Sequence, residues 1–267
     1  MVAAISAAFG ASPSMAAIYS SANLNNYRVS LVDLDLEDGI NPSITFQLGF
    51  EYLYGYVSGP NSPEPYSAND QNISPISKTG TNTINTSTTT ITGNTLETTE
   101  LKVSGSSLAQ QEGVESFGYL ASVNKSDYFT LSANTRVSFT LDSLNYIETI
   151  NDTGGSAFAY TNSYLEVSGY NLIDNVRVNF NSDSDEIYFE GASGEYDFNF
   201  ALLTMMNVVF DNYDNSELFG FFYSGANVSG TKTSAPSTVP LPAALPLMAS
   251  TLGFFGLCAK RRKALKV

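Results

Sequence analysis

Apolar and polar residues alternate in short runs through most of this chain, and this pattern constrains the fold more than any other feature. Within residues 28–37, Val29 and Leu31, and then Leu34 and Leu36, are separated by polar or acidic residues. This is the period of a β-strand with one buried face. Gly, Asn, Asp and Ser cluster between such runs, and no long helical period appears before residue 239. The pattern, together with abundant Tyr and Phe, predicts an all-β fold, an antiparallel β-sandwich of the jelly-roll or immunoglobulin-like kind.

The predicted strands are short. A change of phase at Leu31 and Val32 indicates a β-bulge in the first strand, and the dipeptide Asp38-Gly39 predicts the turn after it. The predicted strands are 28–37, 43–57, 96–103, 116–123, 127–132, 136–141, 157–160, 164–168, 176–180, 186–189, 196–203, 208–210 and 219–223.

Two segments of the body have the composition of loops. Segment 58–72 contains Pro60, Pro63 and Pro65 and is therefore excluded from a central strand. Segment 79–100 is a Thr/Asn tract, in which alternating Thr and Ile allows exposed strands and low hydrophobicity equally allows a long mobile loop.

The chain ends in three consecutive parts. Residues 239–243 read Val-Pro-Leu-Pro-Ala, residues 243–259 carry no charge, and a basic cluster follows. The uncharged segment has 17 residues, near the lower limit of about 17–25 for a membrane-spanning helix. We expect a single C-terminal transmembrane helix, with the basic cluster retained in the cytoplasm.

The N-terminus also indicates export. Residues 1–17 are rich in Ala and Ser and carry no charge, and Ser14, Met15 and Ala16 supply small residues before a cleavage point. This segment resembles the apolar and cleavage regions of a secretory signal peptide. Its missing positive region favours a true start upstream of Met1.

The C-terminal tail resembles the PEP-CTERM family of sorting signals, and more closely its VPLPA variant, in which Leu241 stands where the main family has Glu. The resemblance covers 29 of the 267 residues. It implies recognition by an exosortase, a membrane-embedded cysteine protease of Gram-negative bacteria that make exopolysaccharide. The protein would pass through the inner membrane and reach the cell surface or extracellular matrix. The implied sorting motif is Val239, Pro240, Leu241, Pro242 and Ala243, and the implied basic stop is Lys260, Arg261, Arg262 and Lys263.

Composition excludes several classes of function. The chain has no histidine, and its one cysteine, Cys258, lies in the apolar tail, which excludes His-dependent nucleophiles and zinc sites in the body. Five of the 12 basic residues lie in the last eight positions, which leaves seven against 26 acidic ones. A body this acidic is not expected to bind nucleic acid, which requires clustered Lys and Arg. We expect no enzyme and no cofactor.

Two acidic segments between predicted strands are candidates for a calcium site. They contain Asp183 and Asp185, and Asp211 and Asp214. Carboxylate and amide oxygens are calcium ligands, although acidic loops also keep β-sheets soluble. Calcium therefore remains an alternative to a purely solubilising role.

These observations predict four regions: a signal-like segment (1–17), a β-sandwich ectodomain (18–228), a polar linker (229–238) and a sorting signal (239–267). The first hypothesis for function is a non-catalytic structural or interaction domain. The alternative is a carbohydrate-binding module for exopolysaccharide, in which Tyr52, Tyr54 and Tyr56 share one sheet face. A core face has the same spacing, so the sequence does not decide between them.

Overall fold

The structure is a computed structural model that describes residues 16–58, 64–70, 76–81, 85–93, 95–108, 117–149, 155–171, 176–192 and 198–234. Apart from one short 3-10 turn (Leu96–Thr98), the regular elements in these ranges are all β-strands. They are β1 (Ala16–Asp33), β2 (Ile44–Ser58), β3 (Glu64–Asp70), β4 (Ile76–Thr81), β5 (Asn85–Thr92), β6 (Glu100–Leu108), β7 (Phe117–Leu131), β8 (Thr135–Thr149), β9 (Gly155–Asn171), β10 (Val176–Ala192), β11 (Phe198–Asn212) and β12 (Leu218–Ser234).

The strands form two antiparallel sheets of six strands each. The first sheet has the order β11-β8-β1-β6-β5-β4, and the second has the order β10-β9-β12-β7-β2-β3. Most connections pass from one sheet to the other, as β1 to β2 and β6 to β7 do. The all-β prediction is confirmed, and so is the antiparallel pairing.

Phenylalanine rings from both sheets form the centre of the hydrophobic core. Phe139 of the first sheet lies with its ring centroid 4.7 Å from that of Phe222 and 5.5 Å from that of Phe129, both in the second sheet. Phe210 of the first sheet also contacts Phe129, at 6.0 Å. All four side chains are buried. Strand β8 alternates buried and partly buried residues along its whole length, as the predicted period of two requires.

Several strands are longer than predicted, because polar residues interrupt the apolar pattern without ending the strand. The predicted pairs that merge are 116–123 with 127–132 (β7), 157–160 with 164–168 (β9), 176–180 with 186–189 (β10) and 196–203 with 208–210 (β11). Strand β10 lies at the edge of its sheet, where exposed polar side chains carry no burial penalty. The prediction that Asp183 and Asp185 lie in a loop is therefore wrong.

The first predicted strand has different limits. Strand β1 ends at Asp33, and the carboxylates of Asp33, Asp35 and Asp38 each accept a hydrogen bond from the backbone N–H two residues later. These local bonds replace the sheet pairing that the alternation predicts. The predicted turn is present, with Gly39 at a φ of 67°. The bulge is not at Leu31 and Val32 but between Asn25 and Arg28.

The two loop-like segments both contain strands. Pro65 lies in β3, which pairs with β2 and forms the edge of the second sheet, a position that tolerates proline. The Thr/Asn tract forms β5 and part of β4, with Ser87 and Thr89 facing inward and Thr88 and Thr90 outward. The strand alternative is therefore the correct one for residues 79–81 and 85–92.

The described residues test only some of the boundaries predicted near the two ends of the chain. Strand β12 continues to Ser234, so the first part of the expected linker belongs to the sheet. The expected signal segment lies outside the described residues except for Ala16 and Ala17, which begin β1. The sorting motif, the apolar segment 243–259 and the basic cluster also lie outside them. Within the described ranges, no helix has the length and apolarity needed to span a membrane.

We predict that Phe222→Ala lowers the free energy of unfolding by about 3–5 kcal/mol, because it removes a ring from the centre of the core and leaves a cavity. Leu203→Ala is the matched control, since Leu203 is 70% exposed on edge strand β11. Its expected effect is within about 0.5 kcal/mol. Urea denaturation of both variants measures the difference. Equal losses would contradict the position of Phe222 at the contact between the sheets.

Candidate functional site: an aromatic and amide face on the second sheet

The tyrosines at 52, 54 and 56 lie on the outer face of the second sheet. Their neighbours Leu53 and Val57 are fully buried, whereas Tyr52 is 36% exposed. The Tyr52 and Tyr54 rings are nearly parallel, with centroids 6.5 Å apart and an interplanar angle of 6°. Tyr56 continues the row at the same spacing. We call these three residues the tyrosine row. The period of two in this segment fits a core face and a surface face equally well. In the structure, the three rings lie on the outer face.

A second set of rings lies on the same face, across β7, β12 and β9. Neighbouring centroids in this set are 5.4–5.9 Å apart. Its members are Phe219, Tyr128, Phe221, Tyr223 and Tyr164. Aromatic rings packed in stacked and tilted pairs of this kind form a rigid, largely apolar surface with hydroxyl groups at its margin.

A glycine positions Tyr164 over the sheet. Four residues form one row across the sheet, at paired positions on neighbouring strands. They are Tyr164 on β9, Gly225 on β12, Asn124 on β7 and Tyr52 on β2. The Tyr164 hydroxyl donates a hydrogen bond to Asn124 Oδ1. A Cβ on Gly225 would collide with both the Tyr164 hydroxyl and Asn124 Oδ1. The missing side chain at 225 therefore allows the tyrosine to reach across β12 to β7.

Polar side chains occupy the space between the tyrosine row and Tyr164. Ser122 and Asn124 on β7 are followed across the sheet by Asn227 on β12 and Asn162 on β9. Asn124 Nδ2 also donates a hydrogen bond to Ser122 Oγ, at 3.4 Å. We call these four residues the amide strip. From β2 to β9 there are three strand spacings, or about 14 Å. The face thus combines aromatic margins with a floor of amides and hydroxyls.

The charge of this face is negative. Glu166 and Glu186 project from it, and Tyr160 donates a hydrogen bond of 3.3 Å to Glu186. Among the side chains that the structure describes on this face, there is no lysine or arginine. Burial raises the pKa of the Tyr164 hydroxyl, and contact with the Tyr223 hydroxyl, 3.2 Å away, raises it further. Tyr164 therefore stays protonated at neutral pH and acts as a hydrogen-bond donor.

Such a face suits a hydroxyl-rich, ring-shaped ligand. The C–H groups on one side of a sugar ring pack against an aromatic side chain, while the sugar hydroxyls need donors and acceptors. Asn side chains provide both, and Tyr hydroxyls do as well. A partly exposed aromatic surface bordered by polar groups is consistent with a binding surface.

The outer face of the first sheet offers a weaker alternative. A shallow cavity of about 500 Å³ lies there, lined by residues that include Tyr19, Asn23 and Lys102. Part of its polar surface is already paired, since Glu100 contacts Lys102 Nζ at 2.6 Å and Asn23 Nδ2 at 3.2 Å. Among the described residues that line it, Tyr19 is the one aromatic ring, which favours the second sheet with its tyrosine row as the site.

The structure does not bring the four calcium candidates together. Asp183 accepts a hydrogen bond from the backbone N–H of Asn207, and Asp185 projects from the same strand. Asp211 forms two bonds, of 2.6 and 2.9 Å, with the Arg136 guanidinium, which holds the pKa of Asp211 below its usual value. Within the described ranges, no three acidic side chains form a group that could hold a metal ion.

Comparison of the chain with protein-family models, with curated proteins and with solved structures finds no match. The functional argument therefore depends on the chain's own residues and their geometry.

We predict that millimolar Ca²⁺ does not raise the melting temperature. The Asp211 charge is already compensated by Arg136, and Asp183 and Asp185 lie along one strand without further carboxylates around them. Thermal unfolding with Ca²⁺ and with a chelator measures this. A Ca²⁺-dependent shift that Asp183→Asn or Asp214→Asn abolishes would contradict the prediction and restore the calcium hypothesis.

Proposed function

We propose that this protein is an exported, non-catalytic binding protein that holds a polysaccharide on the outer face of its second sheet. The observation that supports this most is the position of the tyrosine row, which lies outside the core and opposite Tyr164 and the amide strip. The proposal unites the two hypotheses drawn from the sequence, a surface interaction domain and a carbohydrate-binding module.

The charge of the face favours a neutral polysaccharide as the ligand. Glu166 and Glu186 place negative charge on the described part of the face, which would repel the carboxylates of a polyuronate. A neutral glycan needs only stacking and hydrogen bonds, which the tyrosine row and the amide strip supply.

The proposed route to the surface rests on the C-terminal sequence. An exosortase-type protease would recognise the VPLPA-type motif while the apolar segment 243–259 holds the protein in the inner membrane. Cleavage would release the ectodomain to the cell surface or the extracellular matrix of a Gram-negative bacterium. Within this proposal the ectodomain is a β-sandwich of the jelly-roll kind, which the many connections between its two sheets favour.

A second candidate function is binding to another protein through an edge strand. Strand β11 lies at the edge of the first sheet and exposes Phe200, Leu203 and Met205. Exposed apolar residues on an edge strand favour contact with another chain. This function does not involve the tyrosine row, so substitutions on the two surfaces separate the candidates.

We predict that the purified protein is retained by neutral polysaccharides in an immobilised glycan array, and that Tyr54→Ala reduces its affinity about tenfold or more. Tyr54 is the middle ring of the row, whereas the control, Tyr213→Ala, changes an exposed ring in the turn between β11 and β12. Retention by polyuronates should be weaker. Equal retention of Tyr54→Ala and the unchanged protein, or no retention by any neutral glycan, would refute the proposed site.

We also predict that the protein recovered from the medium of its producer ends near residues 239–243, because the exosortase would remove the tail there. Mass spectrometry of the C-terminal peptide from medium and from membranes determines the end. Replacing Pro240 and Pro242 with Ala should leave the uncut chain in the inner membrane. An intact Val267 on the secreted protein would overturn the proposed processing.

A further inference from the structure

Three ionisable side chains are buried together between the sheets. Lys125 on β7 is directly opposite Glu51 on β2, and Asp127 follows two residues later on the same inward face of β7. The Lys125 Nζ lies 3.4 Å from Glu51 Oε1 and 3.3 Å from Asp127 Oδ2. The side chains of Lys125, Glu51 and Asp127 are only 4%, 5% and 11% exposed. We call them the buried charge cluster.

A bulge in β2 places a backbone donor beside this cluster. The register between β2 and β7 shifts between Gln47 and Phe50. There the backbone N–H of Gly49 bonds to the Asp127 carboxyl group. A Cβ on Gly49 would collide with the backbone of Ser126, so this close approach requires glycine. The bulge therefore fixes the Asp127 carboxyl in position next to the lysine.

The surroundings of the cluster are apolar except for two buried hydroxyl groups, that of Ser224, which is opposite Lys125 on β12, and that of Tyr27, which is hydrogen-bonded to Ser224 at 3.0 Å. On the inward faces of the same strands, the nearest residues are Leu53, Val123 and Phe129, and Phe222 is opposite Asp127 on β12. All four are fully buried. A lysine and two carboxylates held away from water cannot all remain charged at low cost.

Proton counting shows which forms the cluster can adopt. Burial is the largest influence on Asp127 and raises the pKa of its carboxyl group. With one proton on a carboxyl group, the cluster contains an ammonium, a carboxylate and a carboxylic acid, and it is neutral overall. The same number of protons can also be distributed as an amine and two carboxylic acids, which are the groups that a condensation joins.

We propose that the Lys125 amine and the Glu51 carboxylic acid condense to an amide that cross-links β7 to β2. The Nζ–Cδ bond forms and one C–O bond of Glu51 breaks. The hydroxyl of the Glu51 carboxylic acid leaves, and Asp127 passes one proton from the amine nitrogen to it, so that the amide keeps one N–H and the hydroxyl departs as water. The product is one amide and one water molecule, and no oxidant or further reactant is needed.

The geometry assigns different roles to the two carboxyl groups. Glu51 lies on the neighbouring strand directly opposite the lysine, which is the closest side-chain spacing between paired strands. Asp127 is held by the Gly49 N–H and lies within hydrogen-bond distance of Nζ. It is therefore placed to move a proton between nitrogen and oxygen, which is the role of a general acid and base. Holding the reacting groups in contact supplies the proximity that such a reaction needs.

A cross-link of this kind suits the chain. The only cysteine is Cys258, so the ectodomain has no cysteine with which to form a disulfide. An amide between 51 and 125 would close a long loop of the chain and restrict its unfolded state, as a disulfide does. It would also remove two charges from the core.

Tryptic mapping of the purified full chain tests the proposal. Trypsin does not cleave after an acylated lysine, so the expected product is peptide 29–78 joined to peptide 103–136, with a mass lower than their sum by one water molecule. Fragmentation should locate the link at Glu51 and Lys125. Lys102 provides an internal control, since its Nζ lies 2.6 Å from Glu100 Oε1 but is exposed to water, and cleavage after it should be normal.

Two variants make the test specific. Glu51→Ala should restore complete cleavage after Lys125, and Asp127→Asn, which keeps the shape of the side chain, should leave most of Lys125 unlinked in a folded protein. Complete cleavage after Lys125 in the unchanged protein would overturn the proposal. Loss of water within peptide 103–136, without the join to 29–78, would overturn the assigned roles, because Asp127 would then be the group acylating the lysine.

Discussion

Contact between the two sheets through a few phenylalanine rings is the constraint on which the rest of the structure depends. Phe139 and Phe222 meet at 4.7 Å, and each belongs to a strand that is paired on both sides within its sheet. Because each strand turns every second side chain inward to this contact, the remaining residues are forced outward. The aromatic and amide face is a consequence: the residues that flank Leu53 in β2 can only be on the surface once Leu53 packs in the core. The position of the site is therefore determined by the packing of the core.

How far the sequence predicts the fold depends on whether local patterns carry the information. The period of two in β8 is readable from residues 135–149 alone, and the turn at Gly39 follows from its dipeptide. The extent of β10 is not predictable from its own residues, because an edge strand tolerates the polar residues that normally end a strand. Pro65 predicts a loop where the structure has the edge strand β3, because an edge strand also tolerates proline. The spacing of residues 52, 54 and 56 predicts that the tyrosine row shares one face. Which face this is depends on packing against the opposite sheet, and therefore on distant parts of the chain.

The most specific features come from pairing between strands that are far apart in sequence. Tyr164 reaches Asn124 because Gly225 lies between them, and no local pattern connects these three positions. Lys125 and Glu51 are separated by 74 residues and meet only through the register of β2 and β7. In the sequence, Lys125 resembles an ordinary surface lysine within a polar run. Its burial follows from the uninterrupted alternation of β7, in which Lys125 lies between the inward-facing Val123 and Asp127.

The position of β12 determines how the two-sheet domain resists force. The last described strand lies between β9 and β7 and is hydrogen-bonded to both along almost its whole length. A pull on its C-terminal end acts along the strand, so that both ladders are loaded together, in shear. An edge strand pulled outward would instead lose its bonds one after another. A protein anchored to a surface through the chain that follows Ser234 would thus bear tension on β12, whose two hydrogen-bond ladders must break together and not one bond at a time.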